Sequence, residues 1–377
     1  MNKYRITPFQ LYIGMTLYTL GTSSIVGIGA EAKQDAWITV IIGGIVGIII
    51  FVVLYGTLLK AYPNLGLPEL LEAILGKLLG RVVLLIYLCY FTFISFFVLR
   101  DIYEMVNLFI LSYTPIFVIK GLIMFSIGFA AYHGIESMIR TAEIYFPILM
   151  LTMAIILIFV GLSDISDFRN LLPIMENGPK PIIKASIPLF LAIPFGELFV
   201  YITHFSMVNK KEKTILAGAL AIFTACFILT LVAIMDIATI GSYFYGNLPF
   251  PTLKTIRLIN IGNFIQRLDI ITISIFLVTS MARIVVFLYA IASSLCYLCK
   301  TKNHKPFVLP VSVVIIIGSY LIGDNYTTYI KLGIKQVPYF VSLPLEVIFP
   351  TLMIIIHFVK QFLKKGKKNN QTIQDAN

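Results

Sequence analysis

The chain runs to 377 residues, 59% of them hydrophobic and only 12% charged, with a mean hydropathy of +0.93 and a formal net charge of +11. Soluble domains carry about a quarter charged residues. This composition therefore excludes a water-soluble fold and leaves a polytopic helical membrane protein, whose apolar blocks of roughly 20 residues match about 30 Å of hydrocarbon.

Ten spans are expected, at about 8–30, 36–59, 81–103, 115–133, 142–162, 187–207, 214–235, 269–297, 307–323 and 338–361. They make a single polytopic domain over 1–377, with a first half of about 8–162, a second of about 187–361 and a basic tail at 362–377. No cleavable leader is expected, because the first apolar block begins after Pro8 without a small-residue cleavage site. With the N-terminus inside, the inner segments hold seventeen of the 29 lysines and arginines, among them Lys3, Arg5, Lys210, Lys211 and Lys213, against nine in the outer segments. That asymmetry predicts cytoplasmic termini. It also accounts for the net charge without a nucleic-acid partner, since the tail "KKGKK" is suited to anionic lipid headgroups.

The first span, "PFQLYIGMTLYTLGTSSIVGIGAEA", begins as an ordinary apolar helix and then gathers Gly21, Thr22, Ser23, Ser24, Gly27 and Gly29. Hydroxyls that satisfy backbone groups locally and glycines that free the dihedrals predict an unwound stretch lining a protein cavity. Gly43 and Gly47 in the second span form a G-x-x-x-G, a mark of close helix approach. In the third, Tyr90 either packs or presents its hydroxyl to a central cavity, while Arg100 and Asp101 are expected to snorkel or pair at the interface.

The segment 163–186, with Asp164, Pro173, Pro179 and Pro181, reads as an ordered outer loop. The sixth span then breaks at Pro194-Phe195-Gly196-Glu197. Proline cannot donate to the carbonyl four residues earlier, and a carboxylate at mid-membrane costs about 2.5–3.5 kcal/mol unless it faces protein or water. Two breaks, each in the first span of a set of five, are the signature of an inverted-repeat transporter fold with half-helix ends aimed at a ligand near the midplane.

Asp236 closes the seventh span and reads like Asp101. A short interfacial helix is expected within "LKTIRLINIGNFIQRLD". Arg283, mid-way along the eighth span with Thr279 and Ser280 one turn before it, has a fork suited to carboxylates. Two readings stand: a contact with a ligand carboxylate, or a structural bridge to Glu197.

Catalysis and metal binding find no support. The histidines (His133, His204, His304, His357) are scattered, no nucleophile–base spacing or phosphate loop appears, and no cofactor is expected. Cys296 and Cys299 lack a second pair and, with Cys89 and Cys226, read as small apolar side chains.

Three stretches, "AEAKQDAWITVIIGGIVG", "IPFGE" and "LPFPTLKTIRLINIGNFIQRLD", resemble the spore germination permeases, the B subunits of nutrient germinant receptors. The third is the most specific: Arg257, Ile259, Gly262, Phe264, Arg267 and Asp269 keep that family's pattern, with Asp269 where members often have Glu. The resemblance spans almost the whole chain. It implies an all-α integral membrane fold of ten helices in a LeuT-type 5+5 inverted repeat with broken first and sixth helices, similar to the amino acid–polyamine–organocation transporters. It implies a place in the spore inner membrane beside a larger A-type membrane subunit and a C-type lipoprotein. The ligand it implies is a small germinant, usually an amino acid, in a pocket between the first, third, sixth and eighth spans. Carried onto this chain, that pocket comprises Gly21, Thr22, Ser23, Tyr90, Ile94, Pro194, Phe195, Gly196, Glu197, Thr279, Arg283 and Phe287. A cation at Arg283, where related receptors can carry a small hydroxyl residue, favours a carboxylate-bearing germinant. A secondary amino-acid transporter and an ion-conducting channel subunit share the same expected fold.

Overall fold

A computed structural model describes residues 6–163, 165–191, 193–258, 268–323 and 326–374. Lys3, Arg5, Asp164, Ile259, Gly262, Phe264 and Arg267 lie outside the described residues.

The chain is helical nearly throughout its described residues. Helix α1 (Pro8–Leu20) starts on a reciprocal cap, in which Gln10 N donates to Thr7 Oγ1 (3.1 Å) and Thr7 N to Gln10 Oε1 (2.9 Å), with Pro8 in the first turn. It stops at Gly21, where the expected break falls. Beyond Gly21 the chain forms no second α-helical half but two short 3₁₀ turns, Thr22–Ser24 and Ala30–Asp35.

Helix α2 (Ala36–Ile50) continues through Phe51–Tyr55 and Gly56–Ala61. An amphipathic helix that the spans did not include, α3 (Leu67–Leu75), lies against the long α4 (Lys77–Phe109). Next come α5 (Ile116–His133) and α6 (Ile135–Leu162).

The expected outer loop is corrected in its second part: α7 (Pro179–Leu191) begins inside it, because Pro179 and Pro181 occupy the first helical turn, where a missing amide costs nothing. Past the second break, Gly196–Tyr201 forms a 3₁₀ turn and Ile202–Phe205 one α turn. Helix α8 (Thr214–Asn247) outruns the expected seventh span, bending at Gly241, whose φ of 76° suits a residue without Cβ. Helix α9 (Pro251–Arg257) buries Pro251, Thr252, Leu253, Thr255 and Ile256 against its neighbours; most of the stretch expected to hold an interfacial helix lies outside the described residues. Then come α10 (Leu268–Leu298), α11 (Lys305–Leu321), the wide turns between Leu332 and Ile348, and α12 (Phe349–Gln374).

Among the described residues seven segments are long and apolar enough to cross a membrane: α2 with its flanking turns, α4, α5, α6, α8, α10 and the stretch from Pro338 into α12. The pattern of exposure is inverted from that of a soluble protein. Ile45, Leu85, Phe125, Ile148, Phe223 and Leu309 are at least half exposed, while Glu197, Arg283 and Glu346 are buried. Apolar surface on this scale fits hydrocarbon as solvent.

Helix α1 packs against α6, α8 and α10, so the first break is enclosed by protein. Gly47 of α2 lets the second break come close: a Cβ there would sit 2.8 Å from Phe195 Cβ. The close approaches of α2 are thus at Gly44, against Cys226, and at Gly47. The two broken spans also meet at one end, where Ile6 N donates to Met207 O (3.0 Å) and Asn209 N to Ile6 O (2.9 Å).

Candidate ligand site

The two breaks bring a polar centre into the apolar core. The Arg283 guanidinium donates through Nη2 to Glu197 Oε2, and both side chains are almost wholly buried. The Tyr18 hydroxyl, three residues before Gly21, donates to the same Glu197 oxygen (3.2 Å), and its ring lies 5.2 Å from Arg283 Cζ. Gly21 completes the contact, since a Cβ on it would sit 3.7 Å from Arg283 Cδ and 3.8 Å from Thr279 O. First break, second break and α10 therefore converge on one charge pair.

A second acid joins them. Glu346 is fully buried, and its Oε1 accepts from the Tyr90 hydroxyl at 2.5 Å, with Ser342 Oγ 3.0 Å from that hydroxyl. The Tyr55 hydroxyl lies 3.0 Å from both Gly196 O and Glu346 O, pinning the second break to the segment that carries Glu346. Tyr87 donates to Leu345 O (2.7 Å), and its ring stacks on Phe199 at 4.8 Å. Two buried acids thus lie in the polar core, Glu197 on Arg283 and Glu346 on Tyr90.

The remaining expected residues fall into distinct groups. Phe287 packs against Tyr18 and Phe91 (5.7 Å each), and Ile94 is buried in the same apolar cluster. The Thr279 hydroxyl turns back to its own helix, onto Ile275 O and Phe276 O. Phe195 faces Gly47. Pro194 lies in the turn before Gly196, outside helical geometry. Arg100 pairs with Glu104 (2.6 Å), and Asp101 accepts from Tyr329, so both are paired rather than snorkelled. Asp236 is not interfacial: it is buried and accepts from Thr252 Oγ1 (2.6 Å).

Glu346 is a residue of this centre that the sequence reading misses, although its signal parallels that of Glu197: an acid beside a proline, Pro344, within an apolar span. Tyr18, Tyr55 and Tyr87 carry no such mark, since tyrosine hydroxyls are common in spans and only packing reveals their acceptors.

Several buried polar atoms on the two breaks, on α10 and on the segment of Glu346 have no hydrogen-bond partner among the described residues: Thr22 Oγ1, Ser23 Oγ, Glu197 Oε1, Ser280 Oγ, Arg283 Nε and Glu346 Oε2. Unpaired buried polar groups are costly, about 1–3 kcal/mol each, and cluster where a ligand supplies the missing partner. The donors suit a carboxylate, and the free carboxylate oxygens suit an ammonium or hydroxyl.

A family model described as "Spore germination protein" matches residues 5–327. Spore germination protein KB of Bacillus subtilis (strain 168) is 29% identical over 371 residues, covering 98% of this chain and 99% of the relative. MhsT, solved in complex with L-phenylalanine, superposes with a TM-score of 0.67 at 15% identity, over 94% of this chain and 89% of that one. A Na+-coupled sialic acid symporter in a substrate-bound outward-open state gives a TM-score of 0.66 at 14% identity, over 91% and 78%. At such identities the structural likeness shows the fold, an all-helical LeuT-type transporter scaffold with interrupted first and sixth spans.

Proposed function

The chain belongs to the spore germination protein family, and from this premise we propose that it is the germinant-sensing B-type subunit of a nutrient receptor. It binds a small nutrient, an amino acid before other classes, between the two breaks, and binding triggers germination. The observation that carries this reading is the buried Glu197–Arg283 pair where the two breaks and α10 converge, with Glu197 Oε1 and Arg283 Nε left without partners and further unpartnered polar atoms on Thr22, Ser23, Ser280 and Glu346.

The side chains close over that pair, so a ligand enters by exchange. Its carboxylate competes with Glu197 for Arg283, one carboxylate replacing another on the same fork. Glu197, once released, and Glu346 offer oxygens to an ammonium group. The exchange separates the second break from α10, and that displacement is what a neighbouring subunit would read. An A-type membrane subunit and a C-type lipoprotein are the proposed neighbours, the spore inner membrane the proposed location, and the proposed orientation leaves both termini cytoplasmic.

The test is germination of spores carrying Glu197→Gln or Arg283→Leu, with assembly of the receptor checked by immunoblot of spore membranes. The expected result is a dose response shifted to higher nutrient concentration, or lost, for one nutrient of a panel. A wild-type dose response in correctly assembled mutant spores would overturn the assignment. A second reading, a secondary transporter, is favoured by the symporter-like fold. Gradient-coupled amino-acid uptake into proteoliposomes supports it, and saturable binding without uptake supports the receptor.

A further inference from the structure

Apart from the charge pair, a second polar cluster is buried where α8 and α9 meet the first break. A cavity of about 20 Å3 lies there, lined by Ser24, Asp236, Thr252 and Thr255, with apolar walls that include Ile156 of α6 and Ile275 of α10. That is room for one body of water or sodium size. Asp236 is 2% exposed and Thr255 1% exposed. Among the described residues no lysine, arginine or histidine forms an ion pair with Asp236.

The hydrogen bonds around Asp236 leave the cluster one positive charge short. Thr252 Oγ1 lies 2.6 Å from Asp236 Oδ2 and 3.1 Å from Ser24 O. A hydroxyl has one proton, so Thr252 satisfies the carboxylate or the carbonyl, but not both. The Thr255 hydroxyl lines the same cavity as the Asp236 carboxylate, is buried there and makes no hydrogen bond among the described residues. A lone carboxylate in so dry a place is costly, and a cation ringed by oxygens removes that cost.

We propose that Asp236, Thr252, Thr255 and the Ser24 carbonyl bind a monovalent cation of sodium size. All four groups offer oxygen, the ligand of hard cations. A single carboxylate among neutral oxygens suits one positive charge better than a divalent ion, which takes six or more oxygens or keeps several waters. The site is distinct from the Glu197–Arg283 centre but not independent of it. Ser24 Oγ donates to Gly21 O (3.0 Å), and Gly21 lies against Arg283, so a cation held by Ser24 also fixes the first break.

The full chain, purified in nanodiscs, is titrated with sodium chloride against choline chloride at equal ionic strength, reading 22Na+ binding and thermal unfolding. Saturable binding of one sodium per chain and a rise in melting temperature absent in choline are expected. Asp236→Asn abolishes both, and Thr255→Val, which keeps the side chain's shape if the asparagine variant fails to fold, weakens the affinity roughly tenfold. The proposal is overturned by a wild-type protein with no saturable sodium response, or by binding unchanged in Thr255→Val. Stability that follows pH without following sodium also overturns it and makes Asp236 a proton site.

Discussion

Glu197 and Arg283 hold one another in a place that neither tolerates alone. Removing one partner of a buried pair leaves an uncompensated charge and costs roughly 3–5 kcal/mol, whereas replacing both with apolar residues is far milder. Thermal unfolding of Glu197→Gln, Arg283→Met and the double variant is expected to show large losses for the singles and partial recovery in the double, a coupling of about 1 kcal/mol or more. Additive losses would mean that the two side chains are not a unit. Tyr90→Phe, which removes the donor to Glu346, is expected to cost about 0.5–1.5 kcal/mol in the same assay, the worth of a buried hydrogen bond. These two centres were unequally legible in the sequence. A lone charge inside an apolar block shows itself, as Glu197 and Arg283 do. Tyr18 and Tyr55 are invisible there, and Tyr90, though marked as a residue that could face a cavity, has no visible partner, because nothing in spacing says which of the 20 tyrosines meets an acid or a free carbonyl across the fold.

At the scale of elements, both breaks are legible in the sequence because proline and glycine act on their own backbone, whatever surrounds them. Helix α7 is not, because prolines that stop a helix in its interior are welcome in its first turn, and position relative to the start decides between the two. Gly47 of α2 is marked in the sequence as a place of close approach, but what approaches it is not, since a glycine's neighbour is a tertiary fact. Gly47→Leu is expected to destabilise the fold by about 1–3 kcal/mol through collision with Phe195, read as a lower melting temperature. The small α3 makes a pH-dependent joint. Arg81 Nε donates to Glu72 Oε1 (2.8 Å) and Tyr297 to Glu72 Oε2 (2.9 Å), tying α3 to α4 and α10. The hydrogen bond from Arg81, aided by that from Tyr297, lowers the Glu72 carboxyl from its ordinary value against a smaller opposing effect of burial. A lowered acid contributes stability that is complete above its unfolded value near 4.3 and is lost as pH falls through the lower folded value. Stability measured from pH 7 to pH 3 should therefore drop less steeply at the acid end in Glu72→Gln than in the wild type.

The whole molecule is a membrane fold whose polar residues are turned inward. The proposed orientation rests on the uneven distribution of lysines and arginines between the two sides, and it is checked by cysteine labelling in a background lacking the four native thiols. A membrane-impermeant maleimide applied to intact cells should modify Glu176→Cys at once and Glu212→Cys only after permeabilisation. The reverse order would invert the proposed topology. The pairing of Ile6 with Met207 and Asn209 bears on how such a molecule can be handled. Those two backbone bonds splice the entrance of the first broken span to the exit of the sixth, so the two breaks share a stitched seam at Ile6. A fluorescent protein or affinity tag joined directly at Ile6 would tug on both broken spans together and distort the motion it was meant to report. Placed after α12, away from Ile6, Met207 and Asn209, the same tag would leave that seam closed.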